Sequence, residues 1–124
     1  MDTRLNEIMA TKIMGYERGA NSWLVKGLFT APISFQDWHP DTDLTQAITC
    51  VRKLCKDNNY KWYLGEVDNG DYKDSKIACC IFGWAKGTPP SKREDGFWYR
   101  IWREYDKNPS LAVCKAIIKV MENK

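Results

Sequence analysis

Two strand-like segments, "YKWYLGEV" (60–67) and "SKIACCIFGW" (75–84), flank the short connection "DNGDYKD". No other feature limits the fold so strongly. Asn-Gly tolerates the positive φ angles that a tight hairpin turn requires, so Asn69-Gly70 predicts that the two segments pair antiparallel. A third strand-like segment, "FWYRIWREY" (97–105), follows "AKGTPPSKRED", a loop rich in turn formers and charge. Consecutive strands joined in this way predict a mostly antiparallel sheet rather than a parallel one.

Three further segments carry helical periodicity. Leu5, Ile8, Met9 and Ile13 form one apolar stripe between Thr3 and Tyr16, which Gly15 and Gly19 terminate. In "HPDTDLTQAITCVRKLCKDNN", Leu44, Ala47, Ile48, Val51, Leu54 and Cys55 lie on one face. Asp41 or Thr42 is the expected cap of this helix, Asp43 suits its first turn, and Asn58-Asn59 ends it. The last helix begins at "NPS", with Asn108 as cap and Pro109 at the first helical position, and runs through Leu111, Cys114, Ile117, Ile118 and Met121. A fourth strand is expected in "NSWLVKGLF", through Trp23, Val25 and Phe29. The predicted fold class is α+β: about four mostly antiparallel strands packed with three helices as a sandwich, in one domain covering residues 1–124.

Charge is uneven along the chain. Net charge is +3, too small to indicate a dedicated binder of nucleic-acid polymers. Residues 85–124 hold nine Lys and Arg against five Asp and Glu, whereas residues 1–84 hold ten against eleven. A short basic region interrupted by acids suits a phosphate-bearing small molecule better than a long duplex; a solvated face is the plainer reading. The start of the chain is charged and periodic, unlike a signal peptide, and no window approaches the roughly 18 apolar residues of a membrane span. Five cysteines without a CxxC pair read as small apolar residues of a reduced, cytoplasmic protein.

Catalytic motifs are missing. No Gly-rich dinucleotide fingerprint, Walker loop, nucleophile elbow or HExxH occurs. His39 is the single histidine, so zinc ligation and cysteine catalysis both lack partners at suitable spacing. "DWHPDTD" gathers Asp37, His39, Asp41 and Asp43, but a helix start accounts for that composition, and Trp38 is placed to pack on the new helix. No enzyme, metal or cofactor is therefore expected.

The stretch "GFWYRIWREY" (96–105) is the strongest candidate for a site. Alternation puts Phe97, Tyr99, Ile101, Arg103 and Tyr105 on one face, read as core up to Ile101, and Trp98, Arg100, Trp102 and Glu104 on the other. A Trp–Arg–Trp face has three readings: a cation–π stack covering surface or core, a platform for a base and a phosphate, or a subunit contact. Lys92 and Arg93 lie just before this strand. Asn108 opens a helix whose N-terminus could receive a phosphate, though a simple cap is its plainer role. The candidate ligand contacts are stacking by Phe82, Trp98 and Trp102, phosphate pairing by Lys92, Arg93, Arg100 and Arg103, and a polar contact from Asn108.

Three stretches together resemble the phage ABA-sandwich domain family: "LNEIMATKIMGYE", "HPDTDLTQAITCVRKL" and "NPSLAVCKAIIKVME". Within them, Met14-Gly15-Tyr16, Thr42-Asp43-Leu44 and Leu111-Ala112-Val113-Cys114 match the family's pattern in order along nearly the whole chain. Among phage proteins of this appearance the sharpest functional likeness is to the Thoeris anti-defence sponges. That resemblance implies binding and sequestration of cyclic ADP-ribose signals, and in some members cyclic oligonucleotides, without cleavage, by an oligomer in the host cytoplasm. It supplies no residue motif for the site. A protein-binding inhibitor of a bacterial defence effector and a small phage structural or regulatory module are the alternatives.

Overall fold

A computed structural model of the protein describes residues 3–27, 30–67, 76–84 and 99–122. The chain opens with helix α1 (Thr3–Ile8), which widens into a π-helical turn over Met9–Ile13. The Met14 N–H bonds to the Met9 carbonyl at 3.0 Å, and Gly15 takes φ +71° to turn the chain away. Met9, Ala10 and Ile13 are buried, while Leu5 and Ile8 pack against the core from its margin. The expected stripe therefore forms, but in two helical geometries.

Three very short strands follow: β1 (Glu17–Arg18), β2 (Ser22–Leu24) and β3 (Ile33–Ser34), antiparallel in the order β1-β2-β3. The strand expected through Trp23, Val25 and Phe29 stops at Leu24, because Gly27 turns at φ +136° soon after; Phe29 lies outside the described residues. This strand does not become the fourth of one sheet. Trp23 instead anchors a separate small sheet, buried and edge-on to Phe35 at 5.1 Å.

Helix α2 (Leu44–Asn58) follows, capped by Asp43 rather than Asp41 or Thr42. The Asp43 carboxylate accepts from the Gln46 N–H at 3.1 Å, as an N-cap acceptor should. Asp41 has a different role. It is buried and exchanges hydrogen bonds with Asn6: the Asn6 side chain donates to Asp41 Oδ1 at 2.9 Å, and the Asp41 N–H donates to Asn6 Oδ1 at 3.1 Å. Trp38 is buried beside this pair and donates from Nε1 to the Asn6 carbonyl at 2.8 Å. At the other end of α2, Asn59 takes φ 58° and its N–H caps the Cys55 carbonyl.

The second sheet joins β4 (Lys61–Val67), β5 (Lys76–Trp84) and β6 (Tyr99–Asp106), antiparallel in that order. β4 and β5 pair antiparallel, as the Asn-Gly signal predicts, without a bulge from Lys61↔Phe82 to Val67↔Lys76; the connection itself lies outside the described residues. β5 and β6 pair from Ile77↔Asp106 to Trp84↔Tyr99. Helix α3 (Pro109–Glu122) closes the chain, with Asn108 as its expected cap.

Helix α3 lies along β5 and β6, and α2 packs between α3 and β4. The inner sheet face contributes Trp62, Leu64, Cys79, Ile81 and Trp102 to one core, shared with Val51, Leu54, Val113, Ile117 and Val120 of the helices. No helix among the described residues is long and apolar enough to cross a membrane.

Candidate ligand-binding face

The β6 alternation is the reverse of the expected one. Trp102 is 5% exposed, whereas Ile101 is 53% and Tyr105 is 41% exposed. The cause is local to Trp102. Its ring lies 5.6 Å from that of Tyr60, and both crowd the backbone of Gly83, where a Cβ would come within 2.7 Å of each. A glycine on β5 thus makes the recess that a tryptophan on β6 fills. The face holding Trp102 is the one turned to the helices, and the face of Ile101, Arg103 and Tyr105 is turned outward.

The predicted site residues that are described, Phe82, Trp102, Arg103 and Asn108, do not share one face. Lys92, Arg93 and Trp98 lie outside the described residues, as does the Arg100 side chain, though Arg100 pairs with Gly83 in the ladder. Trp102 is part of the core. Asn108 is a cap: its Oδ1 accepts from the Ser110 N–H at 3.0 Å, and its Nδ2 donates to the Asp41 carbonyl at 3.2 Å, tying the starts of the two long helices together. Beside it Asp106 accepts from the Asn108 N–H at 2.9 Å and from Lys115 Nζ at 2.6 Å. The Lys115 ammonium and these donors hold its carboxyl below the usual range.

Phe82 and Arg103 remain, and both belong to the outward face. By strand parity that face holds Lys61, Tyr63 and Gly65 of β4, Lys76, Ala78, Cys80 and Phe82 of β5, and Ile101, Arg103 and Tyr105 of β6. Tyr63 is 62% exposed. Its ring edge and hydroxyl occupy the space that a Cβ on Gly65 would need. Ala78 and Cys80, in the middle strand, are buried. The Arg103 Nε donates to Cys80 Sγ at 3.3 Å. Hydrogen bonds to Cys80 and to the Tyr105 side chain favour the charged guanidinium and push its pKa up. Lys61, Lys76 and Arg103 are cations, and no described residue of this face is acidic.

No family model, curated protein or solved structure matches the chain. The site must therefore be read from its own chemistry.

Sequence reasoning missed Tyr63 and Tyr105. The signal that could have found Tyr63 is Gly65, two residues along the same strand, because a strand glycine often marks a close approach by a ring. A second aromatic cluster lies on the small sheet, where the Arg18 guanidinium sits 5.7 Å from the Trp23 ring and 5.2 Å from that of Phe35. Arg18 also pairs with Glu7 at 2.5 Å, and the adjoining cleft, lined by Asn6, Trp23, Phe35 and Trp38, has a volume of about 130 Å³. With its guanidinium already engaged by rings and a carboxylate, this cluster covers the core rather than offering a charge.

The described residues offer little for acid–base or metal chemistry. All five thiols are free and buried. Burial pushes Cys50 and Cys79 up to about 12 and Cys55 to about 11, with Cys114 raised further still, so these thiols stay protonated and poorly nucleophilic at neutral pH. His39 shares a 3.0 Å hydrogen bond between its Nδ1 and the Thr42 hydroxyl in the turn before α2. No three His, Cys, Asp or Glu side chains among the described residues gather as a metal site.

Proposed function

We propose that this chain is a binding protein that sequesters a nucleotide-derived second messenger without cleaving it. The observation that carries the reading is the outward face of β4–β5–β6, where the exposed Tyr63 and Tyr105 rings share a face with the Arg103 guanidinium and no described residue is acidic. Rings stack a base, and a fixed guanidinium pairs with phosphate. The resemblance to phage ABA-sandwich domains and Thoeris anti-defence sponges supplies the ligand class: cyclic ADP-ribose isomers and, as in some members, cyclic oligonucleotides. In this reading residues 1–124 form a single domain that acts in the cytoplasm of an infected host cell, with no cofactor, metal or membrane involved. The protein is an oligomer, because a second subunit would turn an open sheet face into a pocket able to enclose a small ligand.

The openness of the face favours a second reading, a protein-binding inhibitor of a defence effector, since Tyr and Arg on a flat surface are also frequent anchors of protein interfaces. The discriminating experiment is mass spectrometry of small molecules released by heating protein that has been incubated with lysate containing an active TIR enzyme. Sequestration predicts recovery of an intact nucleotide signal. Calorimetry showing no heat with any cyclic ADP-ribose isomer or cyclic oligonucleotide, together with capture of one stoichiometric host protein, favours the second reading.

A further inference from the structure

We propose that Tyr63 and Arg103 are the two poles of the binding site: Tyr63 stacks a heteroaromatic ring and Arg103 holds a phosphate of the same ligand. This inference rests on the nucleotide-binding reading and gives it an address that the sequence did not. Tyr63, Cys80 and Arg103 are direct neighbours across the three strands, in one ladder row. The next row is Gly65, Ala78 and Tyr105. The middle-strand side chains between them, Ala78 and Cys80, are small and buried, so the larger groups on β4 and β6 are what this face presents to a ligand.

Each pole is fixed by a neighbour. The Tyr63 ring reaches over Gly65, whose missing side chain gives it room to lie along the strand. The Arg103 Nε is bound to Cys80 Sγ and the guanidinium is also hydrogen-bonded to the Tyr105 side chain, which together orient it and leave the remaining N–H groups of its fork for a ligand. Arg103 is exposed, and its charge has no acidic neighbour on this face among the described residues. Lys61 and Lys76 add to the positive field, so the complementary ligand is anionic.

The spacing selects among anionic ligands. Tyr63 and Arg103 stand on strands separated by β5, a distance of about 10 Å between their backbones. A base joined to its phosphate through a sugar spans a gap of that order, whereas inorganic phosphate or a free base meets one pole only. The chemical class is therefore a nucleoside phosphate, with a diphosphate better able than a monophosphate to reach the second pole.

The test is isothermal titration of the intact protein with adenosine 5′-diphosphate, adenosine and inorganic pyrophosphate, using Tyr63→Ala, Tyr63→Phe and Arg103→Gln. All three substitutions are at exposed positions, and circular dichroism verifies folding. The expected result is that the diphosphate binds, that Tyr63→Ala and Arg103→Gln each weaken it at least tenfold, and that Tyr63→Phe binds within a few-fold of the parent. Pyrophosphate should respond to Arg103→Gln but not to Tyr63→Ala. Undiminished binding by both variants overturns the assignment while leaving the nucleotide-binding reading intact. A parent protein that binds none of the three probes, nor any cyclic nucleotide signal, overturns both. Self-association lost in Tyr63→Ala, without nucleotide binding, would instead identify the face as a subunit contact and also overturns the assignment.

Discussion

Trp102 carries more of the structure than its position in an aromatic strand suggests. Its ring is buried between Tyr60, the helices and the bare backbone of Gly83. Trp102→Ala should cost about 3–5 kcal/mol, a large share of the roughly 5–15 kcal/mol that holds a domain folded, measured by urea unfolding. Gly83→Ala tests the same nest from below: a methyl at 2.7 Å from both rings must displace them, at a cost of about 1–3 kcal/mol in the same assay. The facing of β6 was not legible because aromatic residues occupy both of its faces, and period-two alternation fixes which residues share a face, not which face is inside. Only the recess at Gly83, a residue on another strand, decides it. The buried Asn6–Asp41 pair was illegible for a similar reason. Asp41, Thr42 and Asp43 are all acceptable caps, and what removes Asp41 from the contest is an asparagine 35 residues away. Asn6→Ala should leave the Asp41 carboxylate short of a buried partner and destabilise the protein by about 2 kcal/mol, whereas Thr42→Ala, at an exposed site, should stay within about 0.5 kcal/mol. Thermal melts of the two variants make the comparison.

At the scale of elements, the hairpin and both long helices could be read directly, since their signals are local. Asn69-Gly70 signals that β4 and β5 pair antiparallel, although Val67 pairs with Lys76 rather than with the Tyr72 that a two-residue turn there would select, and Asn108-Pro109 starts α3 at the expected residue. The small sheet could not be read in this way. Its strands are two or three residues long, too short for periodicity to register, and they are held by Trp23 entering the core rather than by pattern. The candidate site divides along the same line. Arg103 and Phe82 were recognisable as residue types suited to a nucleotide, but their convergence with Tyr63 depends on ladder pairing across three strands.

At the scale of the whole molecule, α2, β5 and α3 each bring thiols into one core: Cys50 and Cys55, Cys79, and Cys114. Their folded pKa values are raised from 9.0, because burial penalises the thiolate. Below pH 9 both folded and unfolded chains keep these protons, so the thiols leave stability unchanged. Above it the unfolded chain releases protons that the folded chain retains, and stability falls as pH rises toward about 11–12. Each of these thiols should remove roughly 1 kcal/mol per pH unit in that window, readable as a falling urea midpoint between pH 9 and 10.5. Replacing Cys79 with Ala should flatten the slope.

Among the described residues, helices cover one side of the β4–β5–β6 sheet, and this separates two kinds of mutational pressure. A substitution on the inner side is judged by whether the chain still folds. One at Tyr63, Ile101, Arg103 or Tyr105 is judged almost wholly by what the protein touches. The outer side can therefore change quickly, by single steps, without each step being vetoed by the core beneath it. A lineage competing with a variable opponent would gain from a sheet divided in this way between constancy and improvisation.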